Sequence, residues 1–500
     1  MRGSKNFAKM SKKFCSADSL RLTFRRIFMK SKIKKNNFRI FAQNSILKSV
    51  FLIFFLLACV FFVSCASNSE NLGGANFYAD NISDFRTEKL SNGIPVFFKQ
   101  NRGSKVVVLK MIFEGGVASY EIKKDGIEDF ALELAFHGSK NFSYDEIQKL
   151  EYEKSFSMNY SAGRDYSTAG FLCISRDLGE ATSVFADAIL NPNMEEKIFN
   201  QIATETLDSI SRRKAEPTGI LGLELSKLAF KNHPYEISPS AREETFSSIT
   251  LEDLKNHFAS LLNSERIKFV VVADMNVDET KEYSALLEKY FGSIEKKSWT
   301  KPVIPPLEIA GETVYAENPA AGESGYIAGI FSCPERNSQD YIPFAIATMY
   351  LDDIFFDQVR EKAGAVYSIG TGVIGGQQML GAISVYKGNN SKNLKELINS
   401  AVLSFDSGKT AGKLEQYKNK YITSLFSSSQ NASGIAGNIV SSLENYGSES
   451  AFLKRSEKVQ KVTAKQVNAA YEKYIKKAAL DGGSSWIVVS GAESVKTFGF

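Results

Sequence analysis

The chain has 500 residues, 43% of them hydrophobic, and a formal net charge of +5. That length is ample for two or more hydrophobic cores. The charge misleads, because residues 1–65 hold 14 Lys/Arg against one acidic residue, Asp18, leaving 47 basic and 55 acidic residues, a net of about −8, for the remainder. An acidic folded part argues against nucleic acid as its partner.

The basic leader runs into SVFLIFFLLACVFFVSC, residues 49–65. Its apolar run, Val50 to Val63, is 14 residues, short for a membrane span and right for a signal-peptide hydrophobic region. It resembles a bacterial lipoprotein signal, with Cys65 after FFVS as the lipidated residue. LLAC at 56–59 fits the lipobox better letter by letter, but cleavage before Cys59 would leave VFFV at the new N-terminus. The expectation is a leader and signal over 1–64 and a tether over 65–84, with the mature chain held by lipid at Cys65 in the bacterial cell envelope. An uncleaved signal anchor is the alternative, and Met29 is an alternative start. Beyond Cys65 only Cys173 and Cys333 remain, so no disulfide framework is expected.

Regular alternation starts at LSNGIPVFFKQN, where Asn92-Gly93 signals a tight turn between strands. VVVLKMIFEGG (106–116) reads as a strand, SYDEIQKLEYEKSF as a helix, RDYSTAGFLCIS (164–175) as a strand and LGEATSVFADAIL (178–190) as a helix. A long helix over roughly 194–213 should stop near Glu216-Pro217. ITLEDLKNHFASLL is a helix with Thr250 as N-cap, and RIKFVVVADMN a buried strand. KPVIPPLE (301–308) reads as an interdomain linker. Beyond it, VTAKQVNAAYEKYI followed by WIVVSGAES echoes ITLEDLKNHF followed by FVVVADMN, with Thr463 in the place of Thr250. Such an approximate repeat implies two similar α+β domains. SIGTGVIGGQQMLG (368–381) reads as a hairpin rather than a phosphate loop, since no Gly-Lys-Ser/Thr follows.

GIEDFALELAFHGSK (126–140) should be a helix with Ile127, Phe130, Ala131, Leu134 and Ala135 on one face, Asp129 and Glu133 together on another, and Gly138 as a stop. Read from the residues alone, the two carboxylates form a solvated acidic face lining a cavity. One turn apart they could also ligate a hard cation, given more oxygen donors than this helix offers, and Glu205 and Asp208 leave that option open.

From about Phe85 onward the chain resembles the insulinase/pitrilysin-type (M16) zinc metallopeptidases. The landmarks follow in order: LSNGIPV, a strand ending in Gly115-Gly116, GIEDFALELAFHGSKNFS, RDYS, a helix after NPNM, HPYE (233–236), SITLEDLKNHF and VREKAGAVYSIG (359–370). The resemblance implies an α+β fold of two M16-like domains facing each other across a cavity, over 85–299 and 312–500, joined by a linker at 300–311. In that family a helical His-x-x-Glu-His grips zinc with its two imidazoles, and its Glu takes a proton from the metal-bound water. Aligned through Gly126 and Phe136-His137-Gly138-Ser139, those positions are Asp129, Leu132 and Glu133, and the third-ligand position is Ser209. All four depart from the pattern. The histidines, His137, His233 and His257, are nowhere four apart, so a shifted alignment does not restore the motif. No zinc is therefore expected, and Leu132 cannot act as a general base.

VREKAGAVYS keeps more. By resemblance, Arg360 and Tyr367 correspond to the Arg that holds peptide carbonyls and the Tyr that donates to the developing oxyanion. A structural role for both, in an ion pair and in packing, is the alternative. Some bacterial members of the family work as unlike pairs, one chain keeping the zinc helix and the other the Arg/Tyr segment. The resemblance thus implies a peptidase-like envelope lipoprotein, inactive by itself, acting as the non-catalytic or peptide-binding partner of a zinc-bearing M16 subunit. A peptide-binding scaffold without such a partner and an active peptidase with an atypical metal site are the alternatives.

Overall fold

The structure, a computed structural model, describes residues 84–389, 393–480, 482–495 and 497–500. The expectations for the leader, for the tether up to residue 83 and for Cys65 lie outside the described residues. Among the described residues no helix is long and apolar enough to cross a membrane.

Two mixed sheets organise the chain. The first holds β1 (Phe85–Lys89), β2 (Pro95–Gln100), β3 (Val106–Glu114), β4 (Ser157–Ser161), β5 (Tyr166–Ile174) and β6 (Ile267–Ala273) in the order β1-β2-β6-β3-β5-β4. The second holds β7 (Thr313–Glu317), β8 (Ser324–Ser332), β9 (Val366–Gly375), β10 (Met379–Asn389) and β11 (Ser484–Ser490) in the order β7-β11-β8-β10-β9. Leave out β1 and the two orders correspond strand for strand. β6 lies parallel to β2 and antiparallel to β3, and β11 lies parallel to β7 and antiparallel to β8. The internal repeat legible in the sequence is thus a repeat of topology.

The helices of the first half are α1 (Ile127–Ala135), α2 (Tyr144–Lys154), α3 (Leu178–Leu190), α4 (Glu196–Ala215), α5 (Pro217–Ala229), α6 (Leu251–Leu261) and α7 (Val277–Phe291). The second half adds α8 (Tyr341–Phe355), α9 (Leu394–Leu403), α10 (Ser407–Ser427), α11 (Ala432–Tyr446) and α12 (Ala464–Ala470). Local chemistry starts them where expected. Ser143 with Glu146, Thr250 with Asp253 and Thr463 with Gln466 each close a capping box, satisfying helix-start N–H groups that would otherwise lack partners. Residues 301–308 carry no regular structure, as a linker should. Pro217 does more than stop α4: it is the first residue of α5, where a missing N–H costs nothing.

Each sheet has two apolar faces, and the two are covered differently. Leu109, Met111, Phe113, Phe269 and Val271 pack with residues of α1, α3, α6 and α7, helices of the same half. The opposite face of that sheet, Val108, Ile112, Val270 and Val272, is covered by Ala432, Ala436, Ile439, Val440 and Leu443 of α11, a helix of the other half. The second sheet repeats this in reverse. Ile327, Phe331, Ile383 and Val488 pack with α8 and α12, whereas Ala328, Ile330, Ile487 and Val489 belong to the first half's core, where α5 lies against β8 and β11. The halves do more than face each other: each lends a helix to its neighbour's sheet.

Two polar contacts hold this exchange in register. Glu444 of α11 meets Lys268 of β6 at 2.9 Å and Lys301 of the linker at 2.8 Å, and both lysines also reach Glu114 of β3. At the tip of the β9–β10 hairpin, the Gln377 N–H donates to Asp165 at 2.7 Å and to the Tyr235 hydroxyl at 3.1 Å. Tyr235 in turn donates to Asp165. Gly376 is required there, because a Cβ would lie 2.0 Å from an Asp165 carboxylate oxygen. Both remaining cysteines are free.

Candidate functional site

Helix α1 begins after Gly126, whose φ of 76° is left-handed and whose place against Ala241 leaves no room for a side chain. The helix ends at Ala135, with Gly138 three residues on at φ 110°. Its apolar face packs as expected, Phe130 stacking on Phe199 of α4 at 5.1 Å. Leu132, at the position of the family's general base, is fully buried in the core. Asp129 and Glu133 are only partly solvated. Both are half-buried. The Ala162 backbone N–H near Asp129 and the Tyr160 hydroxyl near Glu133 each favour the charged form. Burial raises both carboxyl pKa values. For Asp129 the neighbouring Glu128 adds to the rise, and for Glu133 the charges of Asp129 and Glu205 do, partly offset by His137. The solvated acidic face read from the sequence is thus a half-buried carboxylate pair that resists ionisation.

The histidines have structural partners. The His137 Nδ1 lies 2.8 Å from the Glu133 carbonyl, and its ring stacks on Tyr144. His233 reaches the Pro305 carbonyl at 2.9 Å and accepts from the Tyr235 N–H. His257 of α6 is buried, its Nε2 3.0 Å from an oxygen of Glu128, a carboxylate with no exposed surface. Tyr120 packs edge-on against His257 at 4.8 Å. This Glu128–His257 pair was missed in the sequence, although a signal existed. Glu128 stands at helical spacing from Ala131, Leu132 and Ala135, and an acidic residue within an apolar stripe needs a partner.

As donors for zinc the four aligned residues do not fit. Asp129 and Glu133 offer oxygen only, Leu132 offers nothing, and Ser209, half-buried on α4 one turn beyond Glu205, offers a neutral hydroxyl. Among the described residues no three His, Cys, Asp or Glu side chains come together as a metal site.

The ion pair and ring contacts of Arg360 and Tyr367 are local to their own half of the chain. Arg360 is exposed in a π-helical turn over 356–362, its guanidinium 5.2 Å from the Phe356 ring and 3.7 Å from Glu361. Tyr367 opens β9, 66% exposed, its ring 5.8 Å from Tyr386. It sits at the opposite end of β9 from the hairpin tip that docks on Asp165. Eight residues of strand separate the two ends, about 26 Å. Both side chains therefore point their chemistry outward.

Comparison with known proteins matches residues 248–421 to the Peptidase M16 inactive domain. The non-peptidase homolog YmxG of Helicobacter pylori is 22% identical over 218 residues, 41% of this chain and 50% of that protein. The mitochondrial-processing peptidase subunit beta of Saccharomyces cerevisiae is 22% identical over 231 residues, 45% of this chain and 48% of that protein. The matches to these relatives thus span about half of their length. In fold, the peptidase M16 inactive domain from Pseudomonas fluorescens superposes with a TM-score of 0.71 at 17% identity, over 82% of this chain and 98% of that one. The sequence match over 248–421, the matching fold and the degenerate positions on α1 and α4 make the chain similar to the M16-type zinc-protease-like proteins.

Proposed function

We propose that this protein is a non-catalytic M16-like subunit of the cell envelope, anchored by lipid at Cys65 and handling peptides together with a zinc-bearing relative. The observation that carries the reading is the state of α1: a leucine locked in the core where a base would stand, between two half-buried carboxyls that resist ionisation. That helix cannot hold zinc by imidazole or activate water. Arg360 and Tyr367, by contrast, are exposed and free to meet a peptide bound at a partner's metal. There the guanidinium would hold peptide carbonyls and the phenol would donate to the oxyanion. The leader sequence and the short apolar segment before Cys65 support the anchor.

Purified residues 66–500 should bind no stoichiometric zinc by elemental analysis and cleave no peptide alone. From native membranes, a zinc-bearing M16 chain should co-purify. In that complex Arg360→Ala or Tyr367→Phe should leave assembly intact and lower the peptidase rate roughly ten- to a thousand-fold, the scale of one lost transition-state donor. Near one zinc per isolated chain, with chelator-sensitive hydrolysis, would sink the reading. Intact-mass analysis should show acyl mass on Cys65, and Cys65→Ala should release the protein whereas Cys59→Ala should not.

A further inference from the structure

A second concave site lies in the other half of the chain. A cleft of about 380 Å³ opens between the segment around Arg336, the start of α8, and residues of α10, α11 and 451–466. The volume lies within the range of about 300–1,000 Å³ usual for small-ligand sites. Four cations line it, Arg336, Arg455, Lys458 and Lys461, and no Asp or Glu does. Nearby carboxylates are engaged at its margin: Glu457 with Lys461 at 2.5 Å, and Asp340 with Lys473 at 2.8 Å.

The two arginines are half-buried, and among the described residues neither makes an ion pair. Tyrosines hold them instead. Arg455 donates to the Tyr446 hydroxyl at 3.2 Å, and that hydroxyl donates to the Arg336 carbonyl at 3.2 Å. The Arg336 guanidinium lies 3.3 Å from the Tyr341 hydroxyl. Tyr421 lines the same cleft; burial pushes its phenol up to about 12, while the charges of Arg455 and Arg336 both pull it down. A guanidinium cannot shed its proton, and each keeps donors that the protein does not use. Such a pair is stabilised by an anion from outside, most effectively by a carboxylate that accepts from both. Ile342, Pro343 and Val462 add an apolar wall beside the cations. That wall suits the carbon chain attached to a carboxylate better than a bare inorganic ion.

We propose that this cleft binds the carboxylate of a peptide, its C-terminal group or an acidic side chain, with Arg336 and Arg455 as the anion-holding pair and Lys458 and Lys461 at the rim. The proposal rests on the peptide-handling reading for its choice of ligand, but its test needs neither zinc nor partner. The full-length chain would be titrated with a fluorescein-labelled peptide ending in Ala-Phe-Glu, with the same peptide carrying Gln and a C-terminal amide, and with succinate as competitor, each at low and high salt. The acidic peptide should bind at least roughly ten-fold more tightly than the neutral one, and salt should weaken it. Arg455→Gln or Arg336→Gln should each weaken binding about ten- to a hundred-fold, the scale of a charge-assisted hydrogen bond. Because both arginines also brace tyrosines, Lys458→Gln and Lys461→Gln, at exposed positions where Lys461 pairs only with the exposed Glu457, provide a check with little effect on folding. Each should weaken binding about two- to five-fold. Equal binding of the neutral peptide, unchanged affinity in the lysine and arginine variants, or binding of succinate without the peptide would overturn the proposal. Failure of the zinc and co-purification experiments alone would leave these readouts in place.

Discussion

On α1 two carboxylates, Asp129 and Glu133, share a half-buried space with Tyr160 and Glu205; beside α11 two guanidiniums, Arg336 and Arg455, share a cleft with Tyr421 and Tyr446. Both regions crowd like charges among tyrosines, yet they relieve the crowding in different ways. A carboxyl can take up a proton, and burial raises the pKa values of Asp129 and Glu133 in that direction. Arginine has no such route near neutral pH, so the basic cleft stays charged until an anion arrives. In one region burial disfavours the charge, and the other remains open to a ligand.

The strongest way to break the comparison is to remove what holds α1 in place. His257→Leu would strand the fully buried Glu128 carboxylate without its partner. It should cost about 3–5 kcal/mol in urea unfolding, and a Glu128→Leu/His257→Leu pair should recover much of that loss. If the single variant unfolds like the wild type, the acidic half does not depend on this pair. Next in size is the hairpin tip. Asp165→Ala removes the acceptor of the Gln377 N–H and the Tyr235 hydroxyl, and should cost about 1–3 kcal/mol. The same variant should speed proteolytic cutting within 368–381, and an unchanged cutting rate would show that the tip docks by packing alone.

The smallest effect sharpens the comparison directly. Because the folded pKa values of Asp129 and Glu133 lie above their ordinary values of 3.8 and 4.5, folding favours their protonated forms. Their contribution to stability is complete below those ordinary values and falls as pH rises through the raised ones. Asp129→Asn and Glu133→Gln should therefore melt at a higher temperature than the wild type at neutral pH and not near pH 4, by a modest margin since both groups are partly exposed. Calorimetry across that range decides it. The Arg455→Gln variant should show no change in slope over the same window, since arginine does not titrate there.

Elements governed by local chemistry were legible in the sequence: the Asn92-Gly93 turn, the Thr250 and Thr463 caps, and strands such as 106–114 whose run of apolar residues signals burial on both faces. So was the degeneracy of α1, because a missing His-x-x-Glu-His is visible in the letters themselves. What escaped notice depends on residues far apart in the chain. Glu128 and His257 lie 129 residues apart, so only the fold reveals their pairing. Helix α5 went unread because Pro217 was taken as an end when it was also a beginning. Helix α11 went unread as well, and nothing in an apolar stripe says which sheet it will cover. The basic cleft escaped for the same reason, since Arg336 and Arg455 are separated by 119 positions and meet through Tyr446.

The exchange of α5 and α11 has a consequence for how the chain comes into being. During synthesis the first sheet is complete at Ala273, but the helix that shields Val108, Ile112, Val270 and Val272 does not emerge until Tyr446 has been made. For that interval an apolar sheet face waits uncovered, a surface suited to chaperones or to mispairing with another nascent chain. Neither half can therefore be a folding unit by itself. A cut within 301–308 should leave two fragments that still elute together in gel filtration, while a gene ending at that linker should yield insoluble protein.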